Sequence, residues 1–500
     1  MKVRIPKIQF EKLPGAEDRT QGKWIAFGLG IFVLLMYVLQ SRNPVMMFAL
    51  PFGFLGLWLT LFYQRTLWHL GFFTMPIAMA SGNFIGQASL SIPSDIIAAV
   101  LMLLYFFRLA NKPHVHWRFI KHPISVMLIL WLLWMFITSF SSTIPVVSFK
   151  YFVSTLWFVI AFYTISGIFF REQEQMEAFF KITVPTLLFV ILYSIAFHGL
   201  SGFTHEASYE ISRPFYKEHT VYGGSIALFF PGVFLLAFSH YVTPKWKLFW
   251  RLAALIIFAG ILLSYTRAAW LGSVCGMGLM FVLYNWHWIK KLLPVLASLL
   301  LLLVFYFATQ LADYNFREVN KHDDGLIHRV TSIFDTQTDN SNKERFNRWV
   351  AAINMTKEKP WFGHGPGTYA MLYAPYQETR RITIISTYHG DQGTTHNEYL
   401  LASSEMGILG AILVFGLFLA TLIRGIKGFF QASHPTQRLL YAAAVCGLTT
   451  YYFHSMFNNL MDQEKMAIPA YAFMAMITAL DVFHNHRWMN RYLIRWGDET

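Results

Sequence analysis

The sequence predicts an all-α integral membrane protein: a polytopic bundle of about 12–14 transmembrane helices carrying one large extracytoplasmic loop domain. Three observations predict it. Of the 500 residues, 55% are hydrophobic and only 13% are charged, unlike the balance of a soluble globular domain. Apolar stretches of about 16 to 25 residues recur along most of the chain, long enough to cross a bilayer as helices. Most connections are short, with the polar segment from Gln310 to Thr395 as the exception. Backbone groups in lipid must be satisfied within the segment, so many apolar runs of this length imply helices rather than a barrel.

In chain order, spans are expected near 24–40, 44–63, 67–82, 93–109, 122–140, 151–170, 182–199, 220–239, 248–264, 268–285, 291–309, 397–422, 438–456 and 464–483. The 67–82 run is short for a span. The N-terminus is basic but lacks a short apolar stretch followed by a small-residue cleavage site, so the first span is expected to remain as an anchor. The reading divides the chain into N-terminal spans over 1–309, the large loop over 310–395, C-terminal spans over 396–483 and a basic tail over 484–500. No tandem repeat or low-complexity tract is evident.

The net charge of +13 does not point to nucleic acid, because the basic residues collect in alternate short loops. These are Lys2 to Lys23, Arg108 to Lys121, Lys245 to Arg251, Lys290 and Lys291, Arg424 to Arg438, and Arg487 to Arg495. The positive-inside rule puts them in the cytoplasm with both termini. Loops 141–150, 200–219, 310–395 and 457–463 then face outward. The two cysteines, Cys275 and Cys446, fall inside apolar spans. They offer neither a disulfide framework nor metal-ligand spacing and read as small core residues.

The large loop has its own pattern. Asn340 to Lys359 reads as an amphipathic helix, with Phe346, Trp349, Val350 and Ile353 at helical spacing and Pro360 as its stop. A turn from Trp361 to Gly367 follows, its glycines allowing close backbone approach. The loop ends in Thr394-Thr395-His396-Asn397-Glu398. Thr395 and Glu398 fit a capping box, which makes His396 the first helical residue, at the positive end of the helix dipole. A positive potential favours the neutral imidazole, which can accept a proton from a hydroxyl; the local pattern fits equally an interfacial histidine that merely caps the helix. Arg267 lies between two apolar runs at the outer side. A guanidinium there either reaches lipid headgroups or chelates phosphate in a cavity. Arg345 and Arg348 on the loop helix, and Arg213 and Lys217 in an outward loop beside tyrosines, complete an outward cationic set suited to an anionic phosphate-bearing substrate. Glu405 lies nine residues after His396, on the opposite helix face, and is expected to pack with Gly407 and Gly410, paired to another span. Asp323, Asp324 and Asp391 read as solvated loop acids, and no metal site is expected.

These segments together resemble the O-antigen ligase and O-antigen polymerase family of bacterial envelopes. Thr266-Arg267-Ala268-Ala269-Trp270 is similar to the family's S-R-G-A element, with Thr266 and Ala268 in place of Ser and Gly. Arg345-Phe346-Asn347-Arg348-Trp349 resembles its R-x-x-x-W helix. Pro360 to Gly367 resembles its P-x-x-G-x-G-x-G turn. His396-Asn397-Glu398-Tyr399-Leu400 with Glu405, Gly407 and Gly410 resembles its H-N-x-x-L…E-x-G-x-x-G element. The resemblance covers roughly residues 210 to 470.

The resemblance implies a GT-C-like, metal-independent and inverting glycosyltransferase without a cofactor. It would sit in the bacterial inner membrane with its active site on the periplasmic side. The donor would be a glycan on undecaprenyl diphosphate. The acceptor would be lipid A–core in a ligase, another lipid-linked repeat in a polymerase, or a protein hydroxyl in a protein O-oligosaccharyltransferase. By the same carry-over, His396 would be the base, Arg267 and Arg345 would hold the diphosphate, and Arg213 would be a further donor contact. Arg348, Lys217 and Asn397 are secondary candidates. A reading from another class, a transporter of lipid-linked sugars, would more often show an internal repeat and helices broken at mid-membrane.

Overall fold

The computed structural model describes residues 63–80, 91–111, 116–204, 206–240, 242–291, 340–378 and 393–484. The span expected near 24–40, all but the end residues of 44–63 and 291–309, and the acids Asp323, Asp324 and Asp391 lie outside these residues. The basic tail beyond 484 does too.

The described residues are helical apart from one pair of short strands and the connections. Helix α1 spans Gln64–Thr74. Strands β1, Met79–Ala80, and β2, Ser91–Ile92, pair antiparallel. Nine helices among the described residues are long and apolar enough to cross a membrane. They are α2 (Ser94–Asn111), α3 (Pro123–Phe140), α4 (Pro145–Phe169), α5 (Gln173–Leu200), α6 (His219–Phe238), α7 (Pro244–Leu263), α8 (Arg267–Tyr284), α10 (Glu398–Gln431) and α12 (Glu464–His484). Two further long helices stand beside them: α9 (Asn340–Glu358), in the loop, and α11 (Pro435–His454). The chain is thus an all-α polytopic membrane protein.

Helix starts follow local chemistry. Proline occupies the first turn of α3, α4, α7 and α11, where its missing N–H costs nothing and its fixed φ is already helical. Helix α11 is less apolar than the nine, yet from Leu439 onward almost all of it is buried. It packs against α6, α8 and α10. It meets α8 backbone to backbone: a Cβ on Gly272 or Gly276 would collide with the carbonyls of Thr450 and Cys446. Small residues four apart let helix backbones approach in this way.

One expected span is corrected. The 67–82 run does not cross: α1 stops at Thr74, a 3-10 turn follows, and the chain enters strand β1. Carbonyls released at that stop are taken by Lys465 from α12. Its Nζ donates to Met75 O at 2.9 Å and Ala78 O at 2.8 Å. A buried ammonium thus serves carbonyls that the helix end leaves without an intrahelical donor.

Candidate functional site

The site is assembled on a break in α10. Gly407 has φ +72° and interrupts the helix, in a backbone region that L-residues with side chains rarely adopt. The break frees the carbonyls of Ser404 and Glu405, and the turn Pro360–Gly367 takes them. His364 N–H donates to Ser404 O at 3.0 Å, and Gly365 N–H to Glu405 O at 2.8 Å. In return Ile408 N–H donates to Pro360 O at 2.9 Å. A side chain on Gly363 would strike the Glu405 backbone, and one on Gly407 the Trp361 carbonyl. The Glu405 carboxylate accepts N–H bonds from Gly367 and Tyr369, the latter at 3.0 Å. It therefore anchors the loop, and the expectation that it pairs with another span is corrected.

Helix α9 forms as expected, but its buried face differs. Phe346 and Ile353 are exposed, while Glu344, Asn347, Arg348, Ala351, Ala352 and Met355 are buried. Ala351, Ala352 and Met355 pack with Tyr369, Tyr373 and Leu401. Glu344 and Arg348 are buried as an ion pair, which a hydrophobicity count assigns to the outer face.

At the start of α10 the capping expectation is also corrected. The N-cap is Asn397, whose side chain accepts from Tyr399 N–H at 3.0 Å and Leu400 N–H at 2.9 Å. Thr395 Oγ1 instead bonds the backbone of Asn397. Glu398 accepts from Leu460 N–H at 2.8 Å and Met461 N–H at 3.2 Å, tying the segment before α12 to the helix start. His396 lies outside the helix with φ +49°.

Both ring nitrogens of His396 have partners. Nε2 faces Arg348 Nη1 at 3.2 Å, and Nδ1 faces Asn458 Oδ1 at 3.3 Å. Arginine can only donate, so Nε2 must accept, and Nδ1 then carries the hydrogen and donates to Asn458. Arg348 is held by Glu344 Oε1 at 2.8 Å through Nε and by Thr394 O at 3.2 Å through Nη1. Burial, with Arg345 and Arg348 beside it, pulls the His396 pKa down from its ordinary value to about 3. The half-buried ring opens onto a cavity and is neutral at physiological pH. The cause is burial and neighbouring guanidinium groups rather than a place inside the helix.

That cavity, of about 400 Å³, is lined also by the cations Arg345, Arg348 and Lys217, by the acids Glu210, Glu218 and Glu344, and by His219. The structure thus brings His396, Arg345, Arg348 and Lys217 together. Arg267 is not among its lining residues. It is half-buried at the first position of α8, next to Thr266, whose hydroxyl donates to His219 O at 3.1 Å. Arg213 is exposed and ion-paired to Glu210 at 2.8 Å, and it too is absent from the lining. Asn397 is a cap. Sequence reasoning missed Asn458, 62 residues beyond His396, whose only local signal is the pair Asn458-Asn459 in the short connection before α12.

Residues 252–415 match the sequence model of the O-antigen ligase family. The match contains the Arg267 segment, helix α9, the glycine turn, His396 and the break at Gly407. No curated protein matches the chain.

Proposed function

From the match of residues 252–415 to the O-antigen ligase family, we propose that this protein transfers a glycan from undecaprenyl diphosphate to a hydroxyl of lipid A–core at the periplasmic face of the inner membrane. The observation that carries the reading is the neutral imidazole of His396 beside the guanidinium groups of Arg345 and Arg348 in one cavity. The acceptor oxygen attacks the anomeric carbon as the bond to the diphosphate breaks. His396 Nε2 takes the hydroxyl proton. Arg345, Arg348 and Lys217 neutralise the charge that grows on the leaving diphosphate, a task fixed cations perform in a water-poor site. Attack opposite the leaving group inverts the anomeric centre. Arg267, outside the cavity lining, enters this reading only as the diphosphate contact that the family resemblance implies.

Before donor binding, the Nε2 lone pair is covered by Arg348. A diphosphate is a stronger acceptor for that Nη1 than an imidazole is, so an arriving donor draws the guanidinium away and frees the base. The reaction is then coupled to donor occupancy.

The test is an in vitro transfer assay with undecaprenyl-diphosphate glycan, with and without lipid A–core, beside a His396→Ala control. Glycan on lipid A–core that disappears in the variant supports the reading. Longer lipid-linked chains without core would replace the ligase assignment by a polymerase. No histidine-dependent product with either acceptor would overturn it.

A further inference from the structure

A second polar cavity, of about 390 Å³, lies beside the first and shares Lys217 and Glu218 with it. It is built by β1, β2, α2, α4, the segment before α6 and the start of α12. Apart from Lys217, no residue assigned above to base or diphosphate chemistry lines it.

Its chemistry narrows what it can hold. Four carboxylates line it, from Asp95, Glu218, Asp462 and Glu464, with three lysines and no arginine. One of those lysines, Lys465, already serves the carbonyls after α1. Acids outnumber lysines, which disfavours a diphosphate. The carboxylates are not grouped to hold a metal ion among the described residues. The polar wall is unsuited to a lipid chain. Aromatic surface stands beside these acids, from Trp157, Phe158 and Phe215. Two lining side chains also leave buried polar atoms without a partner among the described residues. Asp95 accepts Ser91 N–H through Oδ2 at 2.8 Å, while its Oδ1 accepts nothing. Trp157 Nε1 donates to nothing. Both atoms are closed to solvent, so a ligand group reaches them only when the side chain turns toward the cavity. Aromatic faces and carboxylates around a space of this size form a site for a polyhydroxyl ring.

We infer that this cavity binds a sugar ring of the glycan acceptor and delivers its hydroxyl past Lys217 and Glu218 toward His396. The inference rests on the transferase reading for the identity of the acceptor. Both cavities carry both signs: three cations and three acids line the first, three lysines and four acids the second. The first takes the donor diphosphate because it alone holds arginines and His396, and the second takes the sugar ring that offers the acceptor hydroxyl.

Two experiments test it. In the transfer assay, Trp157→Phe and Asp95→Asn are expected to raise the acceptor KM at least about fivefold while donor KM and kcat change less than about twofold. A rise in donor KM alone, or no change in either, overturns the inference. A labelling arm removes folding and transfer activity as confounders. Ser154→Cys, at the cavity wall, is made with Cys275 and Cys446 replaced by alanine, and its reaction with a membrane-impermeant maleimide is timed in nanodiscs. Delipidated core oligosaccharide is expected to slow labelling at least about threefold, with Ser201→Cys as the exposed control. Inorganic pyrophosphate is expected not to. Protection by pyrophosphate, or by neither compound, overturns the site. Protection by oligosaccharide without His396-dependent transfer keeps the sugar site and rejects the transferase reading.

Discussion

Two polar networks sit near opposite ends of α10, and they are built on opposite principles. At the far end, Asp481 of α12 is saturated. Its Oδ2 accepts from His122 at 2.9 Å and from Arg424 at 2.8 and 2.6 Å, and its Oδ1 accepts from Tyr441 at 2.7 Å. His122 uses its other nitrogen on Thr478 and Ile124. At the loop end, the network around His396 is left open. Asn458 Nδ2 has no partner among the described residues. Nor does either ring nitrogen of His454, the fully buried last residue of α11. A saturated buried cluster holds helices together and has nothing left to offer a substrate. An unsaturated one gives up stability of about 1–3 kcal/mol for each orphaned group and keeps valences for chemistry.

The contrast is broken or sharpened by substitution at each end. The largest effect is expected for His396→Ala: transfer falls by about 10³-fold, in the range of a lost general base, while the thermal midpoint in detergent stays within about 2 °C. Asp481→Asn should do the reverse. It leaves a buried guanidinium and imidazole short of their acceptor, so the midpoint drops clearly, while turnover per folded molecule is kept. Equal losses of stability at both ends would dissolve the distinction.

Next come the two partners of the imidazole. Asn458→Leu removes the acceptor that fixes the Nδ1–H tautomer and should lower kcat by about 10–100-fold with donor KM nearly unchanged; a selective rise in donor KM would assign Asn458 to substrate instead. The pH profile is a finer probe. The His396 pKa of about 3 lies below the ordinary value of about 6.5, so the imidazole stays unprotonated as pH falls through that value. kcat/KM, which reports the free enzyme, should therefore be flat from about pH 8 to about 5. In Arg348→Gln one depressing charge is gone, and the acid limb should move up toward the ordinary histidine value. A wild-type limb already there would contradict the suppressed basicity. The smallest effect is expected for Arg213→Gln, less than about twofold in kcat/KM, because an exposed ion pair contributes little and Arg213 itself does not line the cavity, although its partner Glu210 does.

Much of this is legible in the sequence, for identifiable reasons. Helix α9, its stop at Pro360 and the glycine turn follow from local propensity. The long spans follow from composition, because lipid leaves the backbone no other partner. Arg345 and His396 stand out as a charge in the large loop and a titratable group at the start of an apolar run. What sequence reading misjudges is partnership. Phe346 and Ile353 look like the buried face of α9, but Glu344 and Arg348 can be buried there as a pair. Glu405 looks like a mid-span acid seeking another span, but the break at Gly407 turns it to the loop. The family carry-over puts Arg213 ahead of Arg348, since no spacing rule says which arginine meets an imidazole 48 residues away.

By itself, then, the sequence determined that the chain is a helical membrane protein with one chemically loaded loop, because hydrophobic length and helix-stop chemistry act over a few turns. Only the tertiary structure decided which nitrogen of His396 carries its hydrogen, which arginine covers the other, and that Asn458 and Arg348 are its partners. Those outcomes depend on distances between segments far apart in the chain, which close only when α9, α10 and the segment before α12 have packed.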